Sequence, residues 1–374
     1  MGAGCAGLSL AARLAERGVA GRVRLVDPRS EFRRDRTWCF FDVAPHRFSA
    51  AITRRWKRWS VRQGGRVCVR SAEGVDYVHV DAERFYAVAR ERLDPSSLVL
   101  GTRVESLHDE GDRVLVTTDR GPRSATRVYD ARPPRVEGPA PRGDLRLLQH
   151  FRGAHVRTDA PVFDPDTATL MDFDVPQDHG ISFMYVLPFS STEALVEATW
   201  FSERVHDAAI YDDTLTRWRR ERLGLGSWEV LHEEQGVLPM STERLQSPTG
   251  SRIQRIGLGG GAAKPSTGYA FLAIQRQTEA LTRGIEQGHF DAPPPRGRRE
   301  LVQDRVMLDW MVHHPEDTPA LLYRLFEKVE PRTLARFLSE ASSPAEELAV
   351  MLAVPPWSFT VSTLRGTLGA LRRA

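Results

Sequence analysis

Gly2-Ala3-Gly4-Cys5-Ala6-Gly7 has the spacing of a phosphate-binding turn. In a βαβ unit Gly2 allows the tight turn, and Gly4 lets backbone approach a pyrophosphate at a helix N-terminus. Gly7 lets that helix lie close on the sheet. Asp27 ends the apolar run Leu25-Val26, about 20 residues on, where a carboxylate accepts from a ribose hydroxyl. A second glycine-rich segment runs from Gly257 through Gly259, Gly260 and Gly261 to Lys264-Pro265-Ser266-Thr267-Gly268-Tyr269. Gly259, Gly260 and Gly268 suit a second backbone anion site or contact with a flavin ring edge; the plainer reading is a flexible loop before a helix. Two such segments in one chain favour a long dinucleotide such as FAD.

Glu197 is the candidate acid. Strand alternation puts Leu195, Glu197, Thr199 and Phe201 on one face. A carboxyl among apolar neighbours is penalised when charged, so it can hold a proton for acid catalysis. The residues alone leave open an edge-strand glutamate facing solvent. Asp172 and Asp174 share a strand face, and a wet face is expected there rather than an acid/base pair or a metal site. His313-His314 are helix neighbours pointing apart, a poor metal site. Trp38, Phe40 and Phe41 read as core, or as walls for an apolar polyene and a π face for a cation.

These residues need a scaffold. An amphipathic helix is expected over Leu8 to Arg17, and a helix capped by Asp81 runs through Leu93. Strand signals follow near 66–79, 98–106, 112–118 and Thr126 to Ala131, with a linker-like Pro/Gly segment at 133–143. A strand-rich block lies at 147–157, 167–175, 181–188, 193–201 and 228–238, with one helix near 208–223. The chain returns to a buried strand, Ile253 to Leu258, then a helix over 267–286, and is helical beyond Pro293-Pro294-Pro295.

The expected fold is α/β (α+β): a discontinuous Rossmann-like domain at 1–45, 80–145 and 250–290, an antiparallel-sheet domain at 46–79 and 146–249, and a helical region at 291–374. The first strand of the leading βαβ unit is missing. The native start is therefore expected upstream, with Met1 standing where a strand-ending Val is usual.

The 374 residues are 41% hydrophobic and 27% charged with net charge +3, ordinary for a globular protein. Lysine occurs only at 57, 264 and 328, so the basic balance is nearly all arginine. The cluster Arg54-Arg55-Trp56-Lys57-Arg58-Trp59 interleaves aromatics with cations; a solvated helix face is expected, and no nucleic-acid partner. Cys5, Cys39 and Cys68 are too few and scattered for disulfides or zinc, which fits a reducing, cytoplasmic location. No apolar run reaches the roughly 18 residues that a membrane span needs.

Taken in order, several segments resemble the bacterial-type lycopene beta-cyclase family. They are the glycine fingerprint with Asp27, Asp35-Arg36-Thr37-Trp38-Cys39-Phe40-Phe41, Thr169-Leu170-Met171-Asp172-Phe173 and Tyr185-Val186-Leu187-Pro188-Phe189-Ser190. Leu195-Val196-Glu197-Ala198-Thr199, Gly236-Val237-Leu238-Pro239-Met240 and Lys264 to Tyr269 continue the match. The resemblance implies a flavoprotein hydroxylase-like fold and a membrane-associated isomerase that uses reduced FAD, with NAD(P)H as reductant. It would cyclise the ends of lycopene through a carbocation.

The resemblance also implies that Glu197 is the acid and that Trp38, Phe40, Phe41 and Tyr269 line the substrate site. Many relatives carry a second acid where Ala198 stands, so a strictly paired-carboxylate mechanism is not expected. Many also have His at the Lys264 position. The competing expectations are a redox flavoenzyme on an isoprenoid and a non-catalytic carotenoid- or flavin-binding protein.

Overall fold

Gly2 adopts φ +85°, a left-handed turn that favours glycine, and launches helix α1 (Cys5–Glu16). A computed structural model of the chain describes residues 1–19, 23–134 and 138–354. The rest of the amino-terminal part comprises strands β1 (Leu25–Val26), β2 (Thr37–Phe41), β3 (Ile52–Trp56), β4 (Arg58–Gln63), β5 (Arg66–Arg70) and β6 (Tyr77–Asp81). Helix α2 (Ala82–Arg90) leads to β7 (Leu98–Val99), β8 (Val104–Asp109), β9 (Val114–Thr118), β10 (Gly121–Ala125) and β11 (Val128–Asp130). The Asp81 side chain caps α2 by accepting from Arg84 N–H at 3.1 Å, as its sequence position predicts.

The middle of the chain forms β12 (Arg146–Arg157), β13 (Thr167–Asp172), β14 (Ile181–Pro188), β15 (Glu193–Ser202), α3 (Ala208–Leu223) and β16 (Glu229–Ser241). Then follow β17 (Ile253–Arg255), α4 (Phe271–Glu286), α5 (Arg298–His313), α6 (Thr318–Lys328), α7 (Pro331–Leu338) and α8 (Pro344–Ala353). Residues 135–137 of the linker-like segment, and 355–374 of the helical region, lie outside the described residues.

Strands from separate stretches of chain build the parallel part. β1 pairs with β7, and β11 pairs with β17, both parallel. Met1 and Gly2 connect the two pairs: Gly2 N–H donates to Val26 O at 2.8 Å, and Ala131 N–H donates to Met1 O at 2.9 Å. Helix α1 lies beside α4, where buried Arg13 donates to Thr278 Oγ1 at 3.3 Å and pairs with Glu279.

The seven-stranded sheet has the order β16-β12-β15-β14-β13-β4-β5, antiparallel throughout except where β13 meets β4. Alternation sorts its side chains between two cores. Ala154, Val196, Ala198 and Trp200 pack under α3 with Tyr211 and Trp218. Leu195, Phe201, Leu147 and Met240 belong to the opposite core, which α5, α6 and α7 close. Among the described residues no helix is long and apolar enough to cross a membrane.

Two local expectations are corrected. Residues 54–59 are not a helix but the ends of β3 and β4 meeting at Lys57. Trp56 and Trp59 are fully buried, and Trp56 Nε1 donates to Pro188 O at 2.8 Å. Burying two indoles while Arg55, Lys57 and Arg58 stay exposed suits a period of two on separate strands. Asp172 is not on a wet face either, being only 2% exposed. It accepts from Trp218 Nε1 at 3.1 Å and pairs with Arg222 at 3.2 Å. Asp174 is half-buried and shares Arg222. Paired cations explain both carboxylates without a metal.

Candidate active site

Glu197 sits near the middle of β15, 6% exposed, with its side chain on the sheet face away from α3. Both neighbouring pairings on that side converge on a glycine. Gly153 of β12 lies opposite Glu197 of β15 and also opposite Glu234 of β16. A Cβ at Gly153 would stand 2.6 Å from Glu197 Cα and 2.8 Å from its Cγ, so only glycine leaves the room that the Glu197 side chain occupies. Register brings the Glu197 and Glu234 carboxyls together across this gap, where one can hydrogen-bond the other when protonated. Burial first, then that bond and the Glu234 charge, push the Glu197 carboxyl well above the usual carboxylate range. Thr37 of β2 donates its hydroxyl to Glu234 Oε2 at 3.1 Å.

The carboxyl pair opens into a cavity of about 470 Å³. Its walls are mostly apolar and aromatic: Trp38, Phe151, Leu170, Phe183 and Phe201 face it, as does a tyrosine group. Tyr77 and Tyr185 hydroxyls lie 2.9 Å apart, and Tyr77 and Tyr269 hydroxyls 3.4 Å. Burial pushes Tyr77 and Tyr185 well above their ordinary range and Tyr269 up to about 12, and it pushes the Cys39 thiol up as well. These groups therefore stay neutral at ordinary pH. Thr199 Oγ1 is buried without a hydrogen-bond partner on the same strand face as Glu197.

The other sequence candidates divide. Trp38, Tyr269, Gly4 and Gly268 line the cavity together with Glu197. Phe40 and Phe41 do not line it. Phe40 stacks on Phe271 at 4.6 Å, and Phe41 packs edge-on against Trp59 and Tyr77 at 4.9 and 5.0 Å, so they support the wall from behind. Gly2, Gly7, Gly259 and Gly260 are also absent from the cavity lining and act on backbone packing. A Cβ at Gly7 would overlap Gly2 O, and one at Gly259 would overlap Arg132 O. Gly257, with φ +61°, faces Ala6 so closely that a Cβ would come within 2.5 Å of the Ala6 Cβ. The two glycine segments thus touch each other beside the cavity.

Asp27 lies behind the first turn. It accepts from Ala3 N–H at 2.6 Å, Arg29 N–H at 2.9 Å and Arg29 Nε at 2.9 Å. Burial opposes its charge, yet Arg29 and the backbone donors outweigh it and the carboxyl lies below its ordinary range. In this arrangement Asp27 fixes the glycine turn and does not face the cavity.

Lys264, left open by the sequence, belongs to a buried ionic group beneath the second glycine segment. Its Nζ is 2.6 Å from Asp304 Oδ1, with the two side chains 3% and 1% exposed. Ser266 Oγ donates to the same oxygen at 2.6 Å. Arg296 bonds Glu340 at 2.6 Å and donates to Gly261, Ala262 and Ala263 carbonyls at 2.6, 2.9 and 3.1 Å. This group ties the segment carrying Ser266 to Tyr269, which lines the cavity, to α5 and to the end of α7.

No second acid stands at position 198, but the sheet brings another carboxyl beside Glu197. Ala198 faces α3, so an acid there would point away from the cavity, and the partner comes instead from Glu234 two strands over. Glu234 and Gly153 were missed because their role depends on strand register. Glu233-Glu234-Gln235-Gly236 reads as a polar edge, and only pairing with β12 brings Glu234 to Glu197.

A family model described as Lycopene cyclase protein matches residues 1–364. The lycopene beta-cyclase of Pantoea ananas is 26% identical over 374 residues, covering 95% of this chain and 94% of that protein. Among solved structures, a geranylgeranyl bacteriochlorophyll reductase-like protein from Thermoplasma acidophilum aligns with TM-score 0.67 at 15% identity, covering 99% of this chain and 97% of that one. Klebsiella pneumoniae HpxO, complexed with FAD and uric acid, aligns with TM-score 0.57 at 15% identity, covering 98% of this chain and 96% of that one. These likenesses establish the flavoprotein hydroxylase-like fold.

Proposed function

Because the chain belongs to the lycopene cyclase family, we propose that it is a lycopene beta-cyclase in which Glu197 protonates a linear carotene end. The observation that carries this reading is the Glu197 carboxyl, only 6% exposed, on the wall of a mostly apolar and aromatic cavity where burial opposes its charge. A hydrocarbon offers no hydrogen-bonding groups, so a site for it needs little polarity beyond the acid itself. The Glu197 O–H adds its proton to the terminal double bond and leaves a tertiary cation. The neighbouring internal double bond attacks that cation and closes the ring. Loss of a ring proton to the carboxylate then gives a β-ionone end with no net redox change. The ionised carboxyl stabilises the cation in a dry site, and Trp38, Tyr77, Tyr185 and Tyr269 offer π faces to it.

The residues present fit FAD. A Cβ built on Gly4 meets nothing nearer than Arg36 Nη1 at 4.0 Å, so the first turn of α1 opens onto the cavity as a cradle for a pyrophosphate. Gly4, Arg36 and the Ser266–Ala270 stretch would hold the cofactor, within a binding part proposed to span 1–45, 80–145 and 250–290. In its reduced form, maintained by NAD(P)H, FAD would supply further negative charge beside the cation. A substrate that dissolves only in bilayers implies peripheral contact with a membrane surface.

Expression in a lycopene-accumulating bacterium tests the reading. Cyclic carotene on chromatography is the expected result, whereas NAD(P)H consumed in step with product would show a reductase or monooxygenase instead. Bound lycopene recovered unchanged would show a binding protein. A finer test is Gly153→Ala, whose methyl group would overlap Val196 O and Glu197 Cα and so shift the strand that carries Glu197. Turnover is expected to fall by roughly tenfold to 100-fold, since an ångström of misplacement is enough for such losses; unchanged turnover would mean that Glu197 need not lie over Gly153.

A further inference from the structure

The acid is not built from one strand. Thr37 on β2 orients Glu234 on β16, and Glu234 reaches over Gly153 of β12 to Glu197 on β15. The Thr37 hydroxyl occupies Glu234 Oε2 at 3.1 Å. Glu234 Oε1 is buried with no hydrogen-bond partner among the described residues, and the register through Gly153 brings the Glu197 carboxyl to the same place, so a proton held by Glu197 would satisfy it. Two carboxyls in hydrogen-bond contact require a proton between them.

Among the described residues the groups that face the pair are neutral ones. Cys39 and Tyr185 face the pair from β2 and β14, and burial keeps both neutral. His79 of β6 and His155 of β12 lie within electrostatic range of Glu234. Burial lowers His79 to about 4 and also lowers His155, with Arg34 acting in the same direction on each. Among the described residues no arginine or lysine pairs with either carboxyl.

We propose that Glu234 is a positioning residue that shares one proton with Glu197, so that the two carboxyls work as one acid/base unit. The inference rests on the cyclase reading for its chemistry, though not for its geometry. The pair starts with one proton and one negative charge. The Glu197 O–H bond breaks as the alkene π electrons form the new C–H bond, leaving two carboxylates facing one cation. When the ring C–H bond breaks, its electrons form the ring double bond, and the proton returns to the pair. No oxidant or reductant is consumed. The doubled charge appears only while the cation exists, which is where electrostatic stabilisation accelerates a reaction.

The test is the pH dependence of cyclisation by the full-length flavoprotein, alongside infrared detection of the protonated carboxyl. In Glu234→Gln the amide donates to Glu197 and favours its ionised form. The alkaline limb of the rate profile and the loss of the carboxylic-acid band are both expected to move down by about one pH unit or more. Glu234→Asp is expected to restore part of the wild-type profile. A role in folding alone would lower the rate equally at every pH, and an unshifted limb and band in Glu234→Gln would overturn the inference. If cyclisation itself were absent but the infrared shift present, the cyclase reading would fail while the shared proton stood. If Glu197→Gln did not remove the acid band, the shared proton would fail.

Discussion

Glu197→Gln is expected to lower cyclisation by roughly 10²–10⁴-fold, the contribution of a positioned general acid, while FAD stays bound. The amide is nearly isosteric with the carboxyl and can still bond Glu234 across Gly153, so the strand register that places it should survive. It cannot release a proton to an alkene. Product formation by chromatography, together with the flavin released on denaturation, separates lost chemistry from lost folding. Near wild-type turnover with bound flavin would remove Glu197 from the acid role.

The same variant carries a stability signature with a defined sign. The folded-state carboxyl of Glu197 titrates well above the unfolded value near 4.5, because burial and Glu234 oppose its charge. The folded chain therefore holds a proton that the unfolded chain gives up. This contribution is fully present below the unfolded value and is lost as pH rises through the folded one. Glu197→Gln removes that dependence, so above the ordinary glutamate range the variant should unfold at a higher temperature relative to wild type than it does in acid. A temperature difference that does not change with pH would show that Glu197 is already ionised in the folded chain.

Much of this architecture was legible because it depends on local pattern. The helix over 208–223 matches its prediction residue for residue, and the strands at 181–188 and 193–202 fall within a residue of theirs. Period-two alternation and turn residues carry that information within a few positions. The Arg54–Trp59 stretch misleads because its run of cations suits a solvated helix face, and only burial of its tryptophans on separate strands decides otherwise. The site was legible in half. Glu197 could be named from its strand and family motif, whereas Glu234, Thr37 and Gly153 meet it only through pairings between distant strands. Register is a property of the assembled sheet, and a glycine required for the space it leaves looks like any other glycine in the sequence.

Lys264→Ala is expected to destabilise the chain by about 3–5 kcal/mol, the cost of leaving one partner of a buried ion pair uncompensated. Asp304 would keep the Ser266 hydroxyl on Oδ1, while Oδ2 already lacks a hydrogen bond and lies 4.0 Å from Arg296 Nε. Glu340 would lose a cation 4.0 Å away but keep Arg296 and Arg276 at 2.6 and 2.7 Å. The damage should therefore concentrate at Asp304 and at the segment from Ser266 to Tyr269, which borders the cavity. Thermal unfolding and flavin retention measured together should both fall. Lys264→His keeps a donor but falls short of full charge at neutral pH, so it should land between wild type and alanine. The double variant Lys264→Met with Asp304→Leu should recover most of the stability, because well-packed apolar groups can replace a buried pair at little cost. If alanine alone melted like wild type, the ionic group would not hold the second glycine segment, and its place under the cavity would need another cause.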